Sequence, residues 1–281
     1  MNALISRLLT QPSVLYRKDP LFYFKYDSGY FALLIGLFGA LWVSDAVPLV
    51  PEWRPAYWLS LPVALYLHIL ANVCVHNCCH GNFPRSINRL VGELLGLIVL
   101  TRYASWEIVH TRHHRYSDDV EKDPHYVLPN FWKFTANIAV NVEVQLQHMA
   151  YDQFGDTPAV RRRERVRALL SFVTMLPLLG CWYLLLGTEA FFYIYLPVTV
   201  VGWLHVAHFN WATHNAHDPS GDYHPVNLDH GWYWLGNRIW FGLYMHGNHH
   251  RRANVFNPLR MDEVVAKRKA ARAQERPDAA A

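Results

Sequence analysis

The chain has 281 residues, 52% of them hydrophobic and only 17% charged, against about 25% charged in an average soluble domain. That balance argues against a soluble protein and for one built into a membrane, and an aromatic share of 15% suits membrane–water interfaces. A net charge of +4 makes no case for nucleic-acid binding, and Cys74, Cys78, Cys79 and Cys181 lie in or beside apolar segments, without the spacing of a disulfide framework or an iron–sulfur site.

Met1 to Tyr30 carries charges throughout and no small-residue cleavage site, so it reads as a cytoplasmic or interfacial segment and not as a signal peptide. Phe31 to Val50 and Tyr57 to Val75 are each long enough to cross a hydrocarbon core of ~30 Å, with Pro48, Pro51 and Pro55 in the turn between them. Leu90 to Leu100 is apolar but short and contains Glu93; it is expected to lie in the interface. Leu169 to Leu186 and Ala190 to Leu204 form a second pair, joined through Gly187-Thr188-Glu189 by a tight turn. Trp232 to Met245 reads as an interfacial helix, and 262–281 as a charged, partly disordered tail. Arg7, Arg17, Lys18 and Lys25 precede the first span and only Arg54 follows it, so each hairpin points outward and returns inside. The expectation is a single all-α integral membrane domain over 1–281, with four transmembrane helices in two hairpins and a cytoplasmic histidine-rich helical cap.

Histidine is the anomaly, with 17 residues, most of them crowded into four short stretches. His76 and His80 stand one helical turn apart at the inner end of the second span, where they share a face. His110, His113 and His114 fall at i, i+3 and i+4, and His246, His249 and His250 repeat that spacing. Neutral imidazole ligates iron, zinc, copper or nickel, and no single ion uses eight of them, so two ions in one site is the economical reading. A lone histidine such as His68 or His148 is more simply a satisfied polar residue near lipid headgroups. Asp118, Asp119 and Asp123 either orient ligating rings through the far nitrogen or form a solvated acidic loop. Glu107-x-x-His110 is half of a soluble carboxylate-bridged di-iron motif without its second pair, the His-Glu-x-x-His of a zinc protease is absent, and a histidine-lined transporter leaves the repeated triplets unexplained.

His-x-x-x-His, His-x-x-His-His and His-x-x-His-His, in that order between spans, resemble the membrane fatty acid desaturase family over roughly Tyr57 to Pro258, as does Asp123-Pro124 after the second box. The resemblance implies a non-haem centre of two Fe ions, four spanning helices, and oxidation of an unactivated carbon in an acyl or related chain. It also implies a ninth ligand ahead of the third box, with an asparagine four positions before it to hold a metal-bound water. His214 and Asn210 fit, although His205, His208 and His217 crowd the same region; His125, His224 and His230 read as surface residues or as supports for the ligands.

The implied reaction consumes O2 on a lipid or acyl-chain substrate in the bilayer. Desaturation is favoured, hydroxylation or ketone formation on a lipid or carotenoid chain is the runner-up, and Trp58, Tyr66, Trp203 and Trp211 are candidate walls of an apolar slot. With no iron–sulfur spacing, nucleotide-binding glycine motif or haem domain in the sequence, the electron donor is expected to be a separate ferredoxin, rubredoxin or cytochrome. It would dock where Arg161 to Arg167 or Arg251-Arg252 offers positive charge. The site is expected on the cytoplasmic side of a bacterial inner membrane or of the endoplasmic reticulum.

Overall fold

A computed structural model describes residues 9–45, 47–49 and 54–275. The end of the first expected span at Val50, most of the turn that follows it, and the last residues of the tail lie outside these. A short helix α1 (Pro12–Tyr16) leads into α2 (Phe22–Val43). A 3-10 turn precedes α3 (Leu61–Cys79), and then come α4 (Asn88–Ile98) and α5 (Tyr103–Arg115). Helices α6 (Phe131–Phe154), α7 (Pro158–Val173), α8 (Met175–Ala190) and α9 (Leu196–Thr213) build the second half. Two short helices, α10 (Gly231–Ile239) and α11 (His246–Arg251), precede a final helix α12 (Met261–Glu275). The first part of the expected tail is therefore helical.

Among the described residues, three stretches are long and apolar enough to cross a membrane: Phe22–Val43, Tyr57–Cys79 and Pro158–Thr213. Within them the large apolar residues Leu33, Trp42, Leu67, Leu176, Phe192 and Val200 are all exposed, as suits a hydrocarbon solvent. The third stretch doubles back. Gly187 leaves the helical region at φ 77°, and Trp182 stacks on Tyr195 with ring centroids 5.1 Å apart. Thirteen residues of unbroken helix would hold those rings about 20 Å apart. At eleven residues, or about 17 Å, α4 is too short to cross, as expected for Leu90 to Leu100.

Glycines set the close approaches around α4. A methyl group on Gly92 would stand 2.5 Å from the Tyr103 ring, and one on Gly96 2.4 Å from the Thr101 carbonyl, so this pair lets the chain fold α5 tightly against α4. The Tyr103 hydroxyl reaches the Cys78 carbonyl at 2.8 Å and Gln11 at 2.9 Å. Gln11 also donates to the Cys78 carbonyl at 2.8 Å, and Ser13 donates from its backbone N–H and its hydroxyl to Glu107 at 2.8 and 2.7 Å. The N-terminal segment thus ties down the end of α3 and the middle of α5, the two elements that carry the first two histidine boxes.

A buried ionic network joins the two halves. Asp27 of α2 is 1% exposed and pairs with Arg102 and with Arg167, which is fully buried. Arg167 also meets Glu143 of α6 at 2.9 Å and Glu164 at 2.7 Å, while Arg102 meets Glu143 at 2.5 Å. Charges buried this far from water persist only when paired. Arg167 accordingly offers no charge to a docking partner, contrary to the sequence expectation for Arg161 to Arg167, whereas Arg161, Arg162 and Arg165 surround an open surface groove.

Candidate metal centre

The C-terminal ends of α3 and α9 meet α5 and α11 at one end of the molecule. His76 lies in the last turn of α3 and His80 caps it, His214 caps α9, α5 carries the second box and α11 the third. The third box is held against α9 by the connecting chain: the Val226 N–H donates to the Thr213 carbonyl at 2.8 Å, and the Gly247 N–H to the Val226 carbonyl at 3.1 Å.

The nine imidazoles sort into two groups, His76, His80, His110, His114 and His249 in one and His113, His214, His246 and His250 in the other, each with its ligand atoms within 4.8 Å of one another. Each triplet is split. In α5 the i, i+4 pair His110 and His114 serves the first group and His113 the second; in α11 the pair His246 and His250 serves the second group and His249 the first. Within the first group Nε2 of His110 lies 2.9 Å from that of His80 and 3.1 Å from that of His114, which is 3.0 Å from that of His249. Within the second, Nε2 of His246 lies 3.0 Å from that of His214 and 3.1 Å from that of His250. Nitrogens bound at right angles around a metal by bonds of about 2.1 Å are about 3 Å apart. Nε2 of His76 and of His113 is buried without any hydrogen-bond partner, which is costly unless something else engages it. The donor set therefore fits two metal ions.

Two carboxylates orient rings from behind. Asp123 accepts from Nδ1 of His113 at 2.8 Å and Asp118 from Nδ1 of His214 at 2.9 Å, which turns the bare Nε2 of each ring inward. Both act on the four-histidine group. Asp119 does not share this role, because its carboxylate accepts from the N–H groups of Glu121 and Lys122 at 3.0 Å and belongs to the solvated loop. Burial and the neighbouring imidazoles hold His110, His113, His246 and His249 far below the ordinary imidazole value and His114 down to about 2. All of them are neutral at physiological pH, the form that ligates a metal.

Asn210 donates to the Val206 carbonyl at 2.9 Å, which leaves its carbonyl oxygen for a water. It lines a cavity of about 50 Å³ together with His76, His110 and the apolar Ile69, Val73 and Phe209. Of the rivals to His214, His205 bonds the Tyr244 hydroxyl at 2.8 Å, His208 stacks on Tyr233 and His217 lies beside Trp211; none joins a group. His224 and His230 are exposed, but His125 is 2% exposed and is no surface residue. Its ring stacks on Trp106, which in turn stacks on His110, with centroids 4.8 and 5.5 Å apart. Asp123-Pro124-His125 was the available signal for it; nothing in the sequence singled out Trp106. Of the four aromatic residues considered as slot walls, none borders the cavity at the metal site.

The fatty acid desaturase family profile matches residues 52–256. The chain belongs to the fatty acid desaturase family. It is similar to the fatty acid desaturase of Bacillus subtilis (strain 168), 24% identical over 55% of this chain and 52% of the relative. The sn-1 acyl-lipid omega-3 desaturase (ferredoxin) of Synechocystis sp. (strain ATCC 27184 / PCC 6803 / Kazusa) is 30% identical over 34% of this chain and 26% of its own length. The Delta(12) fatty acid desaturase of Caenorhabditis elegans is 32% identical over 40% and 29%. The chain spans about half the length, or less, of these desaturases. No solved structure matches it.

Proposed function

We propose that the protein is an O2-dependent di-iron desaturase that introduces a double bond into the acyl chain of a membrane lipid. The observation that carries this reading is the sorting of nine histidines into two groups beside a cavity with apolar walls. His76, His80, His110, His114 and His249 hold one iron; His113, His214, His246 and His250 hold the other, with Asn210 presenting a water. When bound, the irons supply the oxidising chemistry that, with dioxygen and two electrons, removes hydrogen from an unactivated carbon. The chain's own residues do the rest. Asp118 and Asp123 fix two rings, and Ile69, Val73, Val206, Phe209 and Leu243 hold a methylene and keep water away, each buried methylene gaining about 0.8 kcal/mol.

The reading extends to topology and partners. We place four spanning helices (α2, α3, α8 and α9) in two hairpins of one domain. The termini and the metal site are cytoplasmic, as Arg17 and Lys18 ahead of α2 and Lys25 in its first turn favour. A separate donor of ferredoxin, rubredoxin or cytochrome type docks on that side, drawn by Arg161, Arg162 and Arg165 or by Arg251 and Arg252. Cysteine labelling checks the orientation, and external labelling near His110 would overturn it. The activity is tested by incubating iron-loaded protein with chain-deuterated lipid, a reductant and labelled dioxygen. Loss of deuterium from adjacent carbons without oxygen incorporation is expected. Labelled oxygen in the lipid would make the enzyme a hydroxylase or ketolase, and product formed without dioxygen would remove the oxidative reading.

A further inference from the structure

Thr101 and Trp106 line two cavities. One is the cavity against His76 and His110 described above; the other, of about 210 Å³, lies between the start of α5 and helices α6, α7 and α9. Phe172 and Trp203 border this second recess and are 51% and 44% exposed, so it opens on the apolar outer surface of the helices. Its polar residues are Thr101, Arg102, Ser105, Glu143 and Ser171. Arg102 is committed to Asp27 and Glu143, and Glu143 also accepts from Ser171 at 2.6 Å. Ser105 differs from them. It is 4% exposed, and its hydroxyl has no hydrogen-bond partner, an arrangement that a fully satisfied interior avoids.

Resting on the desaturase reading, we propose that this recess seats the ester carbonyl of a membrane glycerolipid, with the Ser105 hydroxyl donating to it, and that the acyl chain runs past Thr101 and Trp106 to the metal site. The charges in the recess neutralise one another, which disfavours a phosphate or free carboxylate. The unpartnered Ser105 hydroxyl suits a neutral acceptor. A chain held by its carbonyl end presents to the metals a carbon at a fixed count from that carbonyl, whatever the total chain length. Ser105 is thus a positioning residue that sets which bond is oxidised.

The test uses full-length, iron-loaded protein in nanodiscs of phosphatidylcholine carrying saturated chains of either of two lengths, with a reductant, and locates the new double bond by mass spectrometry. The expected result is the same position counted from the carbonyl in both chains. Ser105→Ala should raise the half-saturating lipid fraction about fivefold, as loss of one neutral hydrogen bond does, and spread the product over neighbouring positions, while Ser105→Thr restores a single position. A bond fixed by its count from the methyl end, or an iron-loaded Ser105→Ala protein with unchanged saturation and regiochemistry, overturns the proposal and leaves the desaturase reading standing. No oxygen-dependent product from wild-type protein overturns both. Should Ser105→Ala fail to fold, the wild-type chain-length comparison alone decides.

Discussion

Both orienting carboxylates act on the four-histidine group, so weakening either should release one ion and spare the other. Asp118→Asn is the cleaner change, because Asp118 sits at φ 64°, a left-handed conformation that asparagine tolerates, and an amide oxygen still accepts from Nδ1 of His214. What is lost is the charge. A hydrogen bond to a charged group is worth about 1.5–3 kcal/mol and a neutral one about 0.5–1.5, and a difference of about 1.4 kcal/mol is tenfold in affinity. Asp123→Asn should cost more, near the hundredfold end of the range for such supporting groups. Asp123 also accepts from the backbone N–H groups of Asp118 and His125, both at 2.7 Å, and an amide nitrogen would set a donor against a donor. Chelator titration of iron-loaded protein should show two dissociation steps, with only the weaker one moved by either substitution, and Mössbauer spectra should show one of two iron environments depleted. Equal loss of both irons, or an unshifted titration, would refute the assignment of both carboxylates to one ion.

Replacing Arg167 by methionine strands the carboxylates it pairs with, Glu143 at 2.9 Å and Glu164 at 2.7 Å, and should cost about 3–5 kcal/mol; a fall in thermal midpoint in detergent, partly reversed by adding Glu164→Gln, is the expected readout. Glu107 is pushed up to about 7 from its ordinary 4.5, chiefly by burial, against the opposing bonds from Ser13. A carboxyl with a raised folded value favours folding below its unfolded value, so its contribution is full below pH 4.5 and is lost as pH rises towards 7, by up to about 3 kcal/mol. Glu107→Gln should flatten the stability profile over that window, and an unchanged profile would remove Glu107 from the account.

The histidine spacings announced the metal site because i, i+3 and i+4 positions share a helix face whatever surrounds them. They did not reveal that each triplet is divided between ions, because that depends on how α5 and α11 face each other across the site, and each helix is turned by contacts distant in sequence, such as that of Ser13 with Glu107. The same distance effect hid the start of α2. Its apolar run reads from Phe31, yet the helix begins at Phe22, because Asp27, costly in an apolar helix by itself, is answered by Arg102 and Arg167. His125 read as either a surface residue or a support for the ligands since a sequence shows no neighbours, and its burial brings Trp106 flat against it.

Asp27 also bears on how the protein is made. Its two arginine partners lie 75 and 140 residues further along the chain, so during synthesis α2 emerges before either partner of its acidic group has been made. That group stands one to two turns inside α2, near enough to the helix end to remain at headgroup level while translation continues. Final seating of α2 then waits for α7, and the metal site closes only once the second half of the chain has been inserted. A truncated chain ending before Arg167 should therefore keep α2 loosely held and open to quality-control proteases, even though every residue of that helix is present.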